Sequence, residues 1–140
     1  MMRRQGAQQA MEDAGIRFED KLYGLSNYDF ESAYHAMNGL LARRAEFTAL
    51  FAMSDVIAFG AIRALVSAGL RVPEDVSVIG FDGITMSRYC VPVMTTIVQP
   101  SEQIALQSIE LLVRQIEHGT PAQTVTLQPE LQQGESVRAI

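Results

Sequence analysis

Asp82 ends the apolar run Val76 to Phe81 and is followed by Gly83. A carboxylate at the carboxyl end of a strand can accept two neighbouring sugar or ribose hydroxyls, each bond strengthened by its charge. It can equally cap the turn that follows. Arg3 carries a planar fork of donors that suits ring hydroxyls or a carboxylate, although a chain end frays by default. Tyr28 offers an aromatic face to the apolar side of a sugar or a base, or a core contact leading into the next helix. Ser54 has a hydroxyl that both donates and accepts. Asp55, beside it, is suited to capping the helix that follows. Gln99 lies in an extended segment, where it reaches either a ligand or solvent.

No residues are placed for catalysis. His35 and His118 are far apart on predicted helices and read as surface residues. A Ser-His-Asp order, a nucleophile elbow and a Gly-rich phosphate loop are all missing. The lone Cys90 permits no internal disulfide and no cysteine-built metal site. The expectation is therefore a binding protein without metal, cofactor or enzymatic activity. The net charge of −5 opposes a DNA footprint on this chain. The pairs Arg3-Arg4 and Arg43-Arg44 read as solvated helix ends. No run of 18 apolar residues is present, so no membrane contact is expected. The start lacks the apolar stretch of a signal peptide, which points to the cytoplasm.

These residues must be positioned by ordinary elements, and the 140-residue chain is long enough for one domain with a core. Residues 3–14 read as a helix stopped by Gly15, and residues 21–25 as a short strand. Asp29 is a good N-cap for a helix with Phe30, Ala33, Tyr34, Met37, Leu40 and Leu41 on one face. The run from Thr48 to Met53 predicts a strand buried on both faces. Val56 to Ala68 predicts a helix ended by Gly69. It is apolar almost all round, so it is either fully buried or covered by another subunit. Arg71 to Asp75 is a turn, Val76 to Phe81 a second buried strand, and Pro92 to Gln99 an extended segment. Ser101 to His118 is a helix stopped by Gly119. Thr124 to Leu127 and Glu130-Leu131 read as closing strands.

Strand, helix and strand joined by short loops make a parallel βαβ unit, so the fold class is α/β with a parallel sheet flanked by helices. Parallel neighbours place their carboxyl ends on one edge, where ligands sit. Ser54-Asp55 and Asp82-Gly83 therefore meet on one rim.

The stretch Phe47 to Ala61 resembles the LacI/GalR regulator signature around its "Asn-Asp, Ala-hydrophobic-Gly" core. Gly69 to Asp82 matches that family's phrase GLRVPEDVSVIGFD at every position. Pro92 to Pro100 resembles its P-x-LTT-x-x-Q segment, and Arg3-Arg4-Gln5-Gly6 the R-x-x-G that opens a helix. The departures are Ser54 where Asn is usual, Ala33 where Gly is common, and Gly134 where Arg is favoured.

The resemblance implies the type I periplasmic-binding-protein-like fold, mainly its C-terminal lobe. Residues 1–99 would be that lobe, incomplete at its start, because the family's first strand precedes the opening helix. Residues 100–121 would be a hinge and a helix belonging to the other lobe. Residues 122–140 would be closing strands and a tail. The implied function is effector binding and dimerisation in a transcriptional regulator. It would sense a small sugar or nucleoside-like metabolite and contact DNA only through a headpiece outside this chain. A transporter's sugar-binding component is the alternative.

The implied ligand set is Asp82, Arg3, Tyr28, Ser54 and Gln99. The implied homodimer contact uses Ile57, Ala61, Ala64 and Leu65, with Tyr89, Cys90 and Val91. A second apolar stripe, Ile104, Ala105, Ile109, Leu112 and Ile116, should fold back on its own lobe or dock on another chain.

Overall fold

A computed structural model describes residues 2–139. The first helix, α1, spans Met2–Asp13. The second, α2, spans Phe30–Ala42 and starts where the Asp29 carboxylate accepts from the Ser32 amide. Its predicted face turns inward, with Ala33, Met37 and Leu40 buried. Phe30 is the exception and is exposed, because it sits in the first turn beyond the core's edge.

Strand β1 is Ala49–Phe51, helix α3 is Asp55–Ser67 and strand β2 is Ser77–Asp82. Strand β3 is Thr95–Val98, helix α4 is Ser101–His118 and strand β4 is Glu130–Gln132. The sheet order is β1-β2-β3-β4. β1 pairs with β2 and β2 with β3 in parallel, whereas β4 runs antiparallel to β3. The βαβ unit inferred from the sequence is thus β1-α3-β2.

The core lies between this sheet and the α2–α3 pair. Ala58, Ala61, Ala64 and Leu65 from α3 meet Met37 and Leu40 from α2, with Val78 and Met94 beneath. The two helices approach closely at Gly60, where an added Cβ would lie 2.4 Å from the Phe30 carbonyl oxygen. Only glycine permits that spacing. Leu65 is fully buried, so its truncation to Ala would cost about 2–5 kcal/mol.

The carboxyl-terminal tail closes the sheet. Ser136 is fully buried where β2 and β3 diverge. Its hydroxyl donates to Val78 O at 2.6 Å and accepts from the Thr95 amide at 2.8 Å. Its own carbonyl accepts from the Val78 amide at 2.7 Å. A residue remote in sequence therefore satisfies polar groups of both strands.

Several expectations need correction. Residues 21–25 form no strand; a 3-10 turn covers Asp20–Leu22 and the chain then runs extended. A strand needs a hydrogen-bonded neighbour, and a cavity separates this segment from β1. β1 itself is only half-buried, since it forms the sheet edge. Thr124 to Leu127 is not a strand; only Glu130–Gln132 pairs.

In helix α3, Ala61, Ala64 and Leu65 are buried inside this chain, and the partly buried Ile57 packs against the same core. Helix α4 does not fold back on the sheet: it buries no residue, and Ile109, Leu112 and Ile116 are exposed.

Candidate functional site

The carboxyl rim of the sheet brings three of the expected ligand residues together. Asp82 ends β2 with φ at 121°. An L-residue with a side chain rarely adopts that conformation, and such strain persists only where neighbours over-determine it. Gln99, just beyond β3, holds Asp82 twice. Its amide donates to Asp82 O at 3.2 Å, and its Nε2 donates to Asp82 Oδ1 at 2.6 Å.

Arg3 reaches the same carboxylate from α1, with Nη2 3.4 Å from Oδ1. Its guanidinium lies over the Phe81 ring, 3.8 Å from the centroid. Nη1 donates to Met53 O at 2.5 Å. One side chain thus bridges the carboxyl ends of β1 and β2. The expectation of a frayed Arg3 is corrected: its planar cation is stacked, paired and bonded. Asp82 and Arg3 stay about 27% and 32% exposed, so a ligand can still reach both.

Directly behind this rim lies Asp55, fully buried. Its Oδ1 accepts from Thr96 Oγ1 at 2.5 Å, and its Oδ2 accepts from the Ile84 amide at 2.9 Å. It ties the end of β1 to β3 and to the loop after Asp82. The carboxylate fits because residue 80 is glycine: an added Cβ would lie 2.2 Å from Oδ1. A glycine inside a strand pattern is a known mark of such close approach, and that signal was present in the sequence.

Ser54 takes the capping role expected of Asp55. Ser54 is the α3 cap, accepting from the Ile57 amide at 3.2 Å, and is only 4% exposed. Its hydroxyl is engaged at the start of α3. Asp55, expected to cap, is the internal tie.

Tyr28 joins neither Asp82 nor Gln99. It is 57% exposed, with φ at 59°, and lines an apolar cavity bordered by Met53. Tyr89 and Val91 stand out from the loop after Asp82, 77% and 93% exposed. Cys90, between them, is half-buried, and burial raises its thiol pKa. Its Sγ donates to the carbonyl oxygens of Ser87 and Pro92, at 3.3 and 3.1 Å. Among the described residues no cluster of His, Cys, Asp and Glu is arranged to hold a metal, and no helix is long and apolar enough to cross a membrane.

A largely parallel sheet whose carboxyl rim carries an accessible, braced carboxylate is an α/β arrangement in which ligands sit beyond the strand ends. Comparison with known proteins agrees. The periplasmic binding protein-like domain family matches residues 1–137, and the chain belongs to that family.

Its relatives are LacI-type regulators. It is 39% identical over 131 residues to the HTH-type transcriptional regulator MalR of Clostridium butyricum, covering 94% of this chain and 39% of that protein. It is 38% identical over 136 residues to the HTH-type transcriptional repressor PurR of Serratia proteamaculans (strain 568), covering 96% and 40%. The chain therefore spans about two-fifths of the length of these relatives.

Among solved structures, it is similar to the transcriptional regulator CelR–cellobiose complex, with a TM-score of 0.91 and 35% identity, covering 96% of this chain and 41% of that one. It is also similar to a sugar-binding LacI-family regulator from Escherichia coli complexed with phosphate. There the TM-score is 0.85 and identity 32%, over 94% of this chain and 48% of that one.

Proposed function

We propose that this chain is the effector-binding lobe of a LacI-type transcriptional regulator, taking a small sugar or nucleoside-like metabolite at the carboxyl rim. The observation that carries this is the Asp82 carboxylate, held by Gln99 and Arg3 yet open to solvent. Oδ1 is occupied by those two donors, and Oδ2 is left to accept a ligand hydroxyl. Arg3 supplies donors for an adjacent hydroxyl or a carboxylate. Their role is to bind and orient the ligand.

In a two-lobed protein, a ligand bonded to this rim and to a second lobe favours the closed arrangement by its differential affinity. That arrangement would then set the spacing of DNA-binding headpieces outside this chain. Dimerisation would use the exposed Tyr89 and Val91 around Cys90. Cytoplasmic placement follows from this role. The transporter reading is disfavoured because the relatives carry HTH-type regulator names.

Titration of isotope-labelled chain with cellobiose, lactose, ribose and a purine nucleoside tests the proposal. The amides of Asp82 and Gln99 and the Arg3 Nε signal should shift with one ligand class, and Asp82→Ala should abolish the shift. Shifts that survive in Asp82→Ala, or none with any ligand at millimolar concentration, would overturn it.

A further inference from the structure

Two consecutive residues leave the ordinary backbone region where β2 ends: φ is 121° at Asp82 and 72° at Gly83. Glycine tolerates this, but an aspartate keeps it only where its surroundings over-determine it. Three contacts hold the turn. The Gln99 amide donates to Asp82 O at 3.2 Å. Gly83 lies so close to β3 that an added Cβ would be 2.7 Å from Val98 Cγ2. The Ile84 amide donates to Asp55 Oδ2 at 2.9 Å.

The first two contacts come from β3 and its end, whereas the third comes from the first residue of α3. Asp55 is suited to be a fixed point. It is fully buried, its Oδ1 accepts from Thr96 Oγ1 at 2.5 Å, and the Ser54 cap secures the helical turn that carries it. A buried carboxylate with both oxygens bonded is costly to displace, because movement leaves a polar group unpaired away from water. The Ile84 side chain is exposed, so its part in the turn is played by the backbone amide.

We infer that Asp55 is a positioning residue for the carboxyl rim. By holding the Ile84 amide it keeps the turn 82–84 in its strained form, and so fixes the direction in which the Asp82 carboxylate points. Its effect passes through the backbone of Gly83 and Ile84. The placement of Asp82 is a property of the chain alone; the consequence for effector affinity rests on the proposed ligand role of Asp82.

Ile84→Pro tests this, because it removes the one donor, and the φ of −66° at Ile84 is already that of proline. Ile84→Ala trims the same side chain and keeps the donor. Two magnetic resonance signals of Asp82 are read without ligand: the amide–Hα coupling, which reports φ, and the carboxyl carbon shift. In Ile84→Pro the coupling should rise from the small value set by a φ of 121° toward the larger one of an extended strand, and the carboxyl shift should move with it. Ile84→Ala should match the wild type. So should Ser136→Ala, which loosens the amino ends of β2 and β3 and leaves the turn alone. If Ile84→Pro does not fold, Asp55→Ser, whose oxygen stands one bond farther from the amide, should give the same displacement. Asp82 signals that stay in place in the folded Pro or Ser variant would overturn the inference, as would equal movement in Ile84→Ala or Ser136→Ala.

The same chains are then titrated with whichever of cellobiose, lactose, ribose and a purine nucleoside shifts the wild type. Ile84→Pro should bind at least about tenfold more weakly, and Ile84→Ala as the wild type does. Unchanged affinity in Ile84→Pro would overturn the rim role of Asp55. A wild type silent toward every probe would sink the ligand reading and leave the Asp82 signals to decide this inference.

Discussion

The Thr96 hydroxyl donates to the Asp55 carboxylate at 2.5 Å, with both side chains fully buried. Two parts of the chain 41 positions apart are thereby locked beneath the carboxyl rim. A buried carboxylate is tolerated only when its oxygens are bonded. Thr96→Val keeps the shape and removes one donor. It should destabilise the fold by about 1–3 kcal/mol in urea denaturation. Thr96→Ser, which restores the hydroxyl, should recover most of that loss. Equal stability of the Val and Ser variants would remove the bond from the account.

Asp82 combines strain with contact. Its φ of 121° suits glycine, while its carboxylate meets Gln99 and Arg3. Asp82→Ala loses the contacts and keeps the strain, whereas Asp82→Gly loses the contacts and relieves it. The Gly variant should be more stable than the Ala variant by about 1–2 kcal/mol. Both should fail to bind effector. Chemical denaturation beside ligand titration separates the two effects.

Asp75 provides the pH-dependent contact. Hydrogen bonds from the Arg71 side chain come first, then that from the Arg71 amide, and together they hold its carboxyl far below the ordinary carboxylate range. With the folded pKa depressed, the contact's stabilisation is present above the unfolded value near 4 and is lost as pH falls toward the folded value. Arg71→Met should bring the Asp75 titration, followed by carboxyl carbon shifts, back up toward about 4. The pair is exposed to solvent, so the thermal stability at neutral pH should change little.

Self-association should arise from two separate patches. Tyr89 and Val91 form one, and the exposed apolar stripe of α4 forms the other. Light scattering at micromolar concentration should give a mass above 15.4 kDa. Val91→Asp with Tyr89→Ser should dissolve one contact and Ile109→Lys the other. A chain that stays at the monomer mass in wild-type form would refute both.

Duplex DNA should not be a partner of this chain, whose net charge is −5. Binding weaker than micromolar is expected at about 50 mM salt, where non-specific phosphate contacts are strongest. Micromolar or tighter binding would contradict the expectation.

By itself the sequence determined what local forces decide. Helices bond within themselves, so the Asp29 cap, the Ala33–Met37–Leu40 face and the stop at Gly119 were legible. The order of β1, α3 and β2 also determined that Asp55 and Asp82 share a rim, because parallel strands end on one side. What spans the fold was decided only by tertiary structure. Residues 21–25 carry a strand-like pattern and make no strand, since strand bonds come from a neighbour that is not beside them. Arg3 could not be paired with Asp82 from spacing, for 79 positions separate them and only the docking of α1 closes that distance. Ser54 and Asp55 were each plausible as cap or contact. The backbone direction at the end of β1 made Ser54 the cap and turned Asp55 inward to Thr96, in the space left by the missing Cβ at Gly80.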